Sequence, residues 1–172
     1  MKPKQTFSDI EHFVARARKL GADDARPIDA AAVVTAPWVR LKCQFGCDGY
    51  DAGYCCPPHT PTHGETQAVI DCYRRGLLIH CAKLGRPSPI VIELEREIFL
   101  AGYYKAFAFG AGPCGLCKEC PPDGCRHRDR ARPSMESCGI DVYATARGCG
   151  MPIEVVKDRT CRQNYYGLIL ID

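Results

Sequence analysis

Cysteine spacing constrains this chain more than any other feature of its sequence. Thirteen of 172 residues are cysteine, and eight of them crowd into two stretches rich in turn residues, Cys43 to Cys56 and Cys114 to Cys125. The amino terminus, Met1-Lys2-Pro3-Lys4-Gln5-Thr6-Phe7, has no apolar core of the kind a secretory signal needs. No run of about 18 apolar residues is present to span a membrane. The expectation is therefore a cytoplasmic chain with no membrane partner. Disulfides are disfavoured there and the cysteine count is odd, which leaves metal binding or thiol chemistry. A net charge of +3 argues against nucleic acid as a partner, since such proteins carry a far more basic footprint.

The second stretch is the sharper of the two. Cys114-Gly115-Leu116-Cys117-Lys118-Glu119-Cys120 followed by Cys125 spells C-x2-C-x2-C-x4-C. Steps of three let a tight loop turn three thiolates toward one metal face. The spacing is near the bacterial ferredoxin run C-x2-C-x2-C-x3-C-P, with the last gap longer by one and Arg126 where the proline would stand. Structural zinc prefers paired C-x2-C units separated by longer spans, so the triplet points to an iron–sulfur cluster ahead of zinc. The first stretch holds Cys43-x3-Cys47 and then Cys55-Cys56-Pro57-Pro58-His59. It is less specific alone, but it supplies enough thiols for a second cluster. Pro57-Pro58 should fix an extended chain beside Cys56.

Around these stretches the chain alternates helix and strand signals. Ser8 and Glu11 form a capping box before Ile10, Phe13, Val14, Ala17 and Leu20. Ala31–Thr35 and Trp38–Leu41 resemble short strands around Pro37. Thr62 and Glu65 cap a second helix that Gly76 should close. Leu77–Ala82 is a strong strand. Ser88-Pro89 opens a third helix, Ala106–Phe109 is another strand, Ser134 should cap a fourth helix running to about Ala146, and Tyr166–Ile171 reads as a buried strand. The expected fold is α/β or α+β, one compact domain over residues 1–172 with helices on a small sheet. Two long loops, about 43–61 and 110–133, would carry the metal. Loops of that length are usually functional.

The chain also resembles a family of prokaryotic proteins described as a predicted metal-binding domain of unknown function. The resemblance rests on Arg40-x-Lys42-Cys43-x3-Cys47, Cys56-Pro57-Pro58, Gly112-Pro113-Cys114-x2-Cys117-x2-Cys120, Arg132-Pro133-Ser134-Met135-Glu136-Ser137-Cys138-Gly139-Ile140-Asp141-Val142, and Gly167-Leu168-Ile169-Leu170. Cys55 departs from that pattern. The resemblance adds Cys138 to the ligand set, which then comprises Cys43, Cys47, Cys56, Cys114, Cys117, Cys120, Cys125 and Cys138. Eight thiolates suit two [4Fe-4S] clusters. By analogy with ferredoxin, Cys125 should close the cluster of Cys43, Cys47 and Cys56, and Cys138 the other, with the reverse pairing nearly equivalent.

The expected role is electron transfer, or redox service to a partner enzyme. Two alternatives stand beside it: an iron–sulfur enzyme with an open iron for small-molecule or sulfur chemistry, and a structural zinc module for protein interaction. Cys72, Cys81, Cys149 and Cys161 read as structural, the first two in the core. Gly110-x-Gly112-x-x-Gly115 follows a strand but precedes no helix, so it is not a dinucleotide fingerprint. The basic run Arg126–Arg132 reads as a solvated loop that can also offset cluster charge or meet an acidic partner. His59 and His63 are weaker ligand candidates.

Overall fold

Two apolar runs make the centre of the molecule. Strands β2 (Arg75–Cys81) and β4 (Tyr165–Leu170) pair antiparallel, with Leu77 opposite Ile169 and Ile79 opposite Gly167. Alternate residues point to opposite faces of a strand, and here both faces are covered, so β2 is buried along its whole length. The computed structural model describes residues 10–83, 85–158 and 160–172. Strands β1 (Asp24–Asp29) and β3 (Phe107–Phe109) flank the central pair in the order β1-β2-β4-β3, all neighbours antiparallel. Antiparallel pairing throughout makes the fold α+β.

One face of the sheet is covered by helices α1 (Glu11–Lys19) and α4 (Pro87–Leu100). Phe13, Val14, Ile90, Val91, Leu94 and Ile98 there meet Leu77, Ile79 and Ile169. The opposite face packs Leu78, Leu168 and Leu170 against Ile28, Ile70, Met135, Cys138 and Ile140. The connecting elements on that side are α2 (Pro37–Gly46), α3 (His63–Ile70) and α5 (Val142–Gly148).

The Thr62–Glu65 capping box forms as expected: Thr62 Oγ1 accepts from Glu65 N at 3.3 Å and Thr62 N donates to Glu65 Oε2 at 2.8 Å. The Ser8 cap expected for α1 lies outside the described residues, while α1 itself and the strands at 77–82, 106–109 and 166–171 lie where the apolar pattern puts them to within a few residues.

Four readings are corrected. Residues 31–35 and 38–41 are not strands: Ala30–Ala32 is a 3-10 turn, and Pro37 opens α2 at the position where a missing N–H costs nothing. Helix α3 ends at Ile70, well before Gly76, which lies inside β2. The helix expected from Ser134 to Ala146 is broken by Gly139 at φ 76°, a left-handed position; a Cβ there would also stand 2.9 Å from the His63 Cα. It becomes a 3-10 turn, Glu136–Cys138, followed by α5, which Asp141 caps through Ala144 N at 2.9 Å. Strand β1 was hidden by Pro27, which an edge strand tolerates.

Candidate metal centre

The first cysteine segment begins on a helix. Cys43 occupies the last turn of α2 and Cys47 follows its end, so C-x3-C here is an i, i+4 pair with both sulfurs on one side. The expected loop thus starts at Cys47. The face of α2 that carries Val39 and Cys43 turns toward the Glu136–Cys138 turn, and the Cys43 thiol lies 4.0 Å from Glu136 O. Arg40 fixes this arrangement. Its Nη1 donates to Thr60 O at 3.2 Å, Pro61 O at 2.8 Å and Ser137 O at 2.9 Å, and Thr60 Oγ1 adds a 2.6 Å bond to Ser137 O. One guanidinium nitrogen thereby ties α2, the end of the first loop and the Arg132–Val142 segment together.

From Cys47 to Pro61 the chain is a series of tight turns. Cys56 N donates to Gly53 O at 2.9 Å and His59 N to Cys56 O at 3.0 Å, making two consecutive turns that meet at Cys56. The Pro57–Pro58 bond is cis, and the chain reverses there where an extended segment was expected. His59 Nε2 lies 2.9 Å from Asp51 Oδ1, within the same loop.

The second segment, residues 110–133, is closed at its neck by Gly110 N to Pro133 O at 2.8 Å and Met135 N to Gly110 O at 3.1 Å. Ser88, in the first turn of α4, anchors the same neck by accepting from Ala111 N at 3.0 Å. Beside the same neck Arg132 pairs with Glu95 of α4, Nε to Oε2 at 2.6 Å, and Glu95 Oε2 also accepts from Ala108 N of β3 at 2.9 Å. The basic run is therefore partly an internal brace. Arg128 Nε likewise donates to Cys125 O at 3.2 Å.

The two segments lie against each other. Tyr54 Oη donates to Pro121 O at 2.8 Å. A Cβ on Gly53 would stand 2.7 Å from Cys120 Sγ, so only glycine lets that sulfur approach the first loop this closely. Between the segments is a cavity of about 160 Å³ onto which Cys55, Cys56, Cys114, Cys117, Cys120 and Cys125 all face. Cys47 and Cys56 flank Gly49, their sulfurs 3.4 and 3.7 Å from where its Cβ would be. Cys43 and Cys47 also wall a larger cleft of about 430 Å³ on their other side, with Trp38, Lys42, Tyr143 and Tyr165. Among the described residues no three His, Cys, Asp or Glu side chains converge tightly enough to hold a single ion.

Burial pushes the Cys55 thiol up to about 12, with Cys114, Cys125 and Cys56 adding to the effect. Burial likewise raises Cys56, reinforced by Cys47, Cys43, Cys114 and Cys120, and raises Cys43, reinforced by Cys47 and Glu136. These thiols are thus protonated near neutrality in the metal-free chain, and each raises the others because two adjacent thiolates repel. A cation that replaced the protons would remove that repulsion, and thiolates are ligands that soft metals prefer.

Seven of the eight sequence-chosen cysteines gather here: Cys43, Cys47, Cys56, Cys114, Cys117, Cys120 and Cys125. Cys138 is placed differently. It has no solvent exposure, sits in the apolar core under the sheet, and lines a separate apolar pocket with Val69, Phe107 and Phe109. Cys55, which the family pattern omits, is among the six on the cavity. Of the remainder, Cys81 is buried in the core as expected, while Cys72 is exposed on the outside of α3's end, its thiol donating to Ala68 O. Cys149 packs against the second core cluster, and Cys161 bonds Asp158.

A family model described as predicted metal-binding protein (DUF2284) matches residues 26–171. The chain belongs to this family. The matched span contains every cysteine of the chain and the Arg40 and Arg132 braces, and metal binding is what the family's description predicts. No curated protein and no solved structure is matched.

Gly53→Ala offers a local check. The added methyl must displace Cys120 Sγ, so metal affinity should fall about tenfold, in the range seen when a ligand's support is removed, while the melting temperature of the metal-free protein stays unchanged. Competition against a chromophoric chelator measures the first and calorimetry the second.

Proposed function

We propose that this chain is an iron–sulfur protein holding two [4Fe-4S] clusters and passing single electrons to a partner protein. One observation carries the reading: six thiols face one cavity, with Cys43 and Cys47 adjoining at Cys56. A tetrahedral zinc takes four ligands, so six around one space exceed what one ion uses, and the eight together match two four-thiolate clusters. The triplet spacing supports iron for the same reason, since steps of three suit a cluster edge. Clusters so bound supply one-electron chemistry. The chain's own residues hold the thiolates apart, wall the cavity with Tyr54, Pro113 and Leu116, and set Arg128, which donates to Cys125 O, nearby to offset anionic charge.

A partner surface is available on α2. Trp38, Leu41 and Phe45 repeat at helical spacing and are 45%, 55% and 79% exposed, on the helix that carries Cys43, and Trp38 reaches the cleft beside Cys43 and Cys47. An exposed apolar stripe on the same helix suits a transient redox partner. The larger cleft beside Cys43 and Cys47 supports a second reading, in which one iron is open and the cleft holds a small substrate.

Protein purified anaerobically should be brown, with a broad visible band that dithionite bleaches and about eight irons and eight acid-labile sulfides per chain. Colourless protein with stoichiometric zinc overturns the reading. Adding cyanide or a small thiolate separates the two iron readings: a shifted cluster spectrum marks an open iron, an unchanged one closed clusters.

A further inference from the structure

We infer that the cleft of about 430 Å³ beside Cys43 and Cys47 binds a planar conjugated ring with neutral carbonyl oxygens at its edge, the chemistry shared by quinones and the flavin ring. This rests on the second reading above only in taking the cleft as a small-molecule site, and not on which metal the thiols hold.

The body of the cleft is apolar and aromatic. Val39, Ile140, Val142, Ile153 and Val156 line it, and Trp38, Tyr143, Tyr165 and Tyr166 add four aromatic rings. The volume is in the range of small-molecule sites, and aromatic side chains favour offset stacking on another flat π-system. The sheet fixes one wall. Tyr166 is buried in β4, paired with His80 of β2, with the two rings 5.1 Å apart, and its hydroxyl donates to Pro152 O.

Two amides set the polarity. Gln163 and Asn164 immediately precede β4 and reach the cleft. Asn164 Oδ1 lies 2.8 Å from Nε2 of the buried His80, so the ring nitrogen donates and the amide oxygen is occupied. Gln163 Oε1 accepts from Tyr165 Oη at 2.5 Å. With both oxygens engaged inside the protein, each amide has only its NH2 group left, and that group donates. Among the described residues neither NH2 group has a hydrogen-bond partner, and no buried side-chain polar atom lacks one, so the Asn164 NH2 group is open to a ligand.

A ligand that meets these groups must offer acceptors, and charge selects among them. Lys42 is the one cation of the lining, against two carboxyl groups, Glu136 and Asp141. Such a lining does not favour a carboxylate or a phosphate. The acceptor that remains is a neutral carbonyl oxygen on a ring flat enough to stack. Cys43 and Cys47 form another part of the wall, so the bound ring lies beside the first cysteine segment.

Trp38 is the only tryptophan of the chain, so its fluorescence reports on the cleft. The full chain, loaded anaerobically, is titrated with tetramethylbenzoquinone, whose substituted ring has no position free to add to thiols, with lumiflavin, and with tetramethylbenzene, a flat hydrocarbon without carbonyls. Equilibrium dialysis gives the affinities independently. Asn164→Asp keeps the oxygen that His80 holds and replaces the open NH2 by a second oxygen. At least one of the two carbonyl rings should quench Trp38 saturably, and Asn164→Asp should weaken that ring about tenfold, the effect of losing one hydrogen bond. Tetramethylbenzene should bind both proteins alike. Circular dichroism checks folding, and Gln163→Glu, at an exposed residue, repeats the test if Asn164→Asp fails to fold. Binding of the quinone alone or of lumiflavin alone identifies the source, and either upholds the assignment. No saturable binding of either ring, unchanged affinity in the folded variant, or an equal loss of tetramethylbenzene affinity overturns it. Ring binding without a cyanide response would sink the open-iron reading alone, whereas a cyanide response without ring binding would sink this assignment alone.

Discussion

Removing the metal should strip hydrogen-exchange protection from residues 47–61 and 110–133 by about a thousandfold, equivalent to about 4 kcal/mol of local stability, while β2 and β4 keep theirs. The two core clusters account for the selectivity. Every residue of the cluster under α1 and α4, and every residue of the cluster on the opposite face, lies outside those two segments. The segments contain no strand and no helix of their own, so turns, the Arg40 and Arg132 braces, the Tyr54 bond and the thiols are what order them. Few hydrogen bonds per residue order these segments, so cross-linking by a bound metal would contribute to their local stability. The scaffold, by contrast, buries its own apolar strands and should survive as a cooperative sheet. Exchange measured on loaded and chelator-treated protein decides the matter. Equal protection of the segments in both states would mean that the thiols are not what orders them.

How much of this could be read beforehand depended on whether the signal was local. The Thr62–Glu65 box, the apolar runs at 77–82 and 166–171 and the triplet at 114–120 each declare themselves within a few residues. Trp38–Leu41 misled because an apolar run of four suits a strand or a helix; Pro37 at the first helical position was the decisive residue, and the exposure of Trp38 and Leu41 shows that the run is no core strand. The same misreading hid the i, i+4 relation of Cys43 and Cys47. Gly139 broke an expected helix because His63, 76 positions earlier in the chain, packs where its side chain would be, which no window of sequence reveals. The roles of Cys55 and Cys138 were equally non-local. Both are cysteines beside a glycine- or proline-rich motif, and only the fold separates one on the cavity from one in the core. Arg40 stood in the family motif without a reason; its bonds to Thr60, Pro61 and Ser137 supply one.

The metal-free and metal-loaded proteins should respond to pH in opposite directions. In the metal-free chain, burial raises the thiols of Cys43, Cys55, Cys56 and Cys138 above the ordinary cysteine value, Cys55 to about 12 and Cys138 to about 11. A raised thiol means that the folded state holds its proton more tightly than the unfolded chain does. The stabilisation is fully present below the unfolded cysteine value of about 8.5 and is lost as pH climbs through the folded values, because above 8.5 the unfolded state sheds protons that the folded state retains. Cys138, wholly buried, contributes on the order of 2–3 kcal/mol of this; the half-exposed cavity thiols add less each. The melting temperature of metal-free protein, kept reduced and anaerobic, should therefore hold level from pH 7 to about 8.5 and fall steadily toward pH 11. Loaded protein should show the reverse: its thiolates have already given up their protons, so alkali costs it little, whereas acid competes with the metal for sulfur and releases it. Its stability should fall as pH drops below neutrality, with metal appearing in the filtrate over the same interval. A metal-free melting temperature that rises between pH 8.5 and 10 would mean that these thiols are hydrated in the folded chain, and with that the buried, mutually repelling cavity that makes metal binding favourable would be gone.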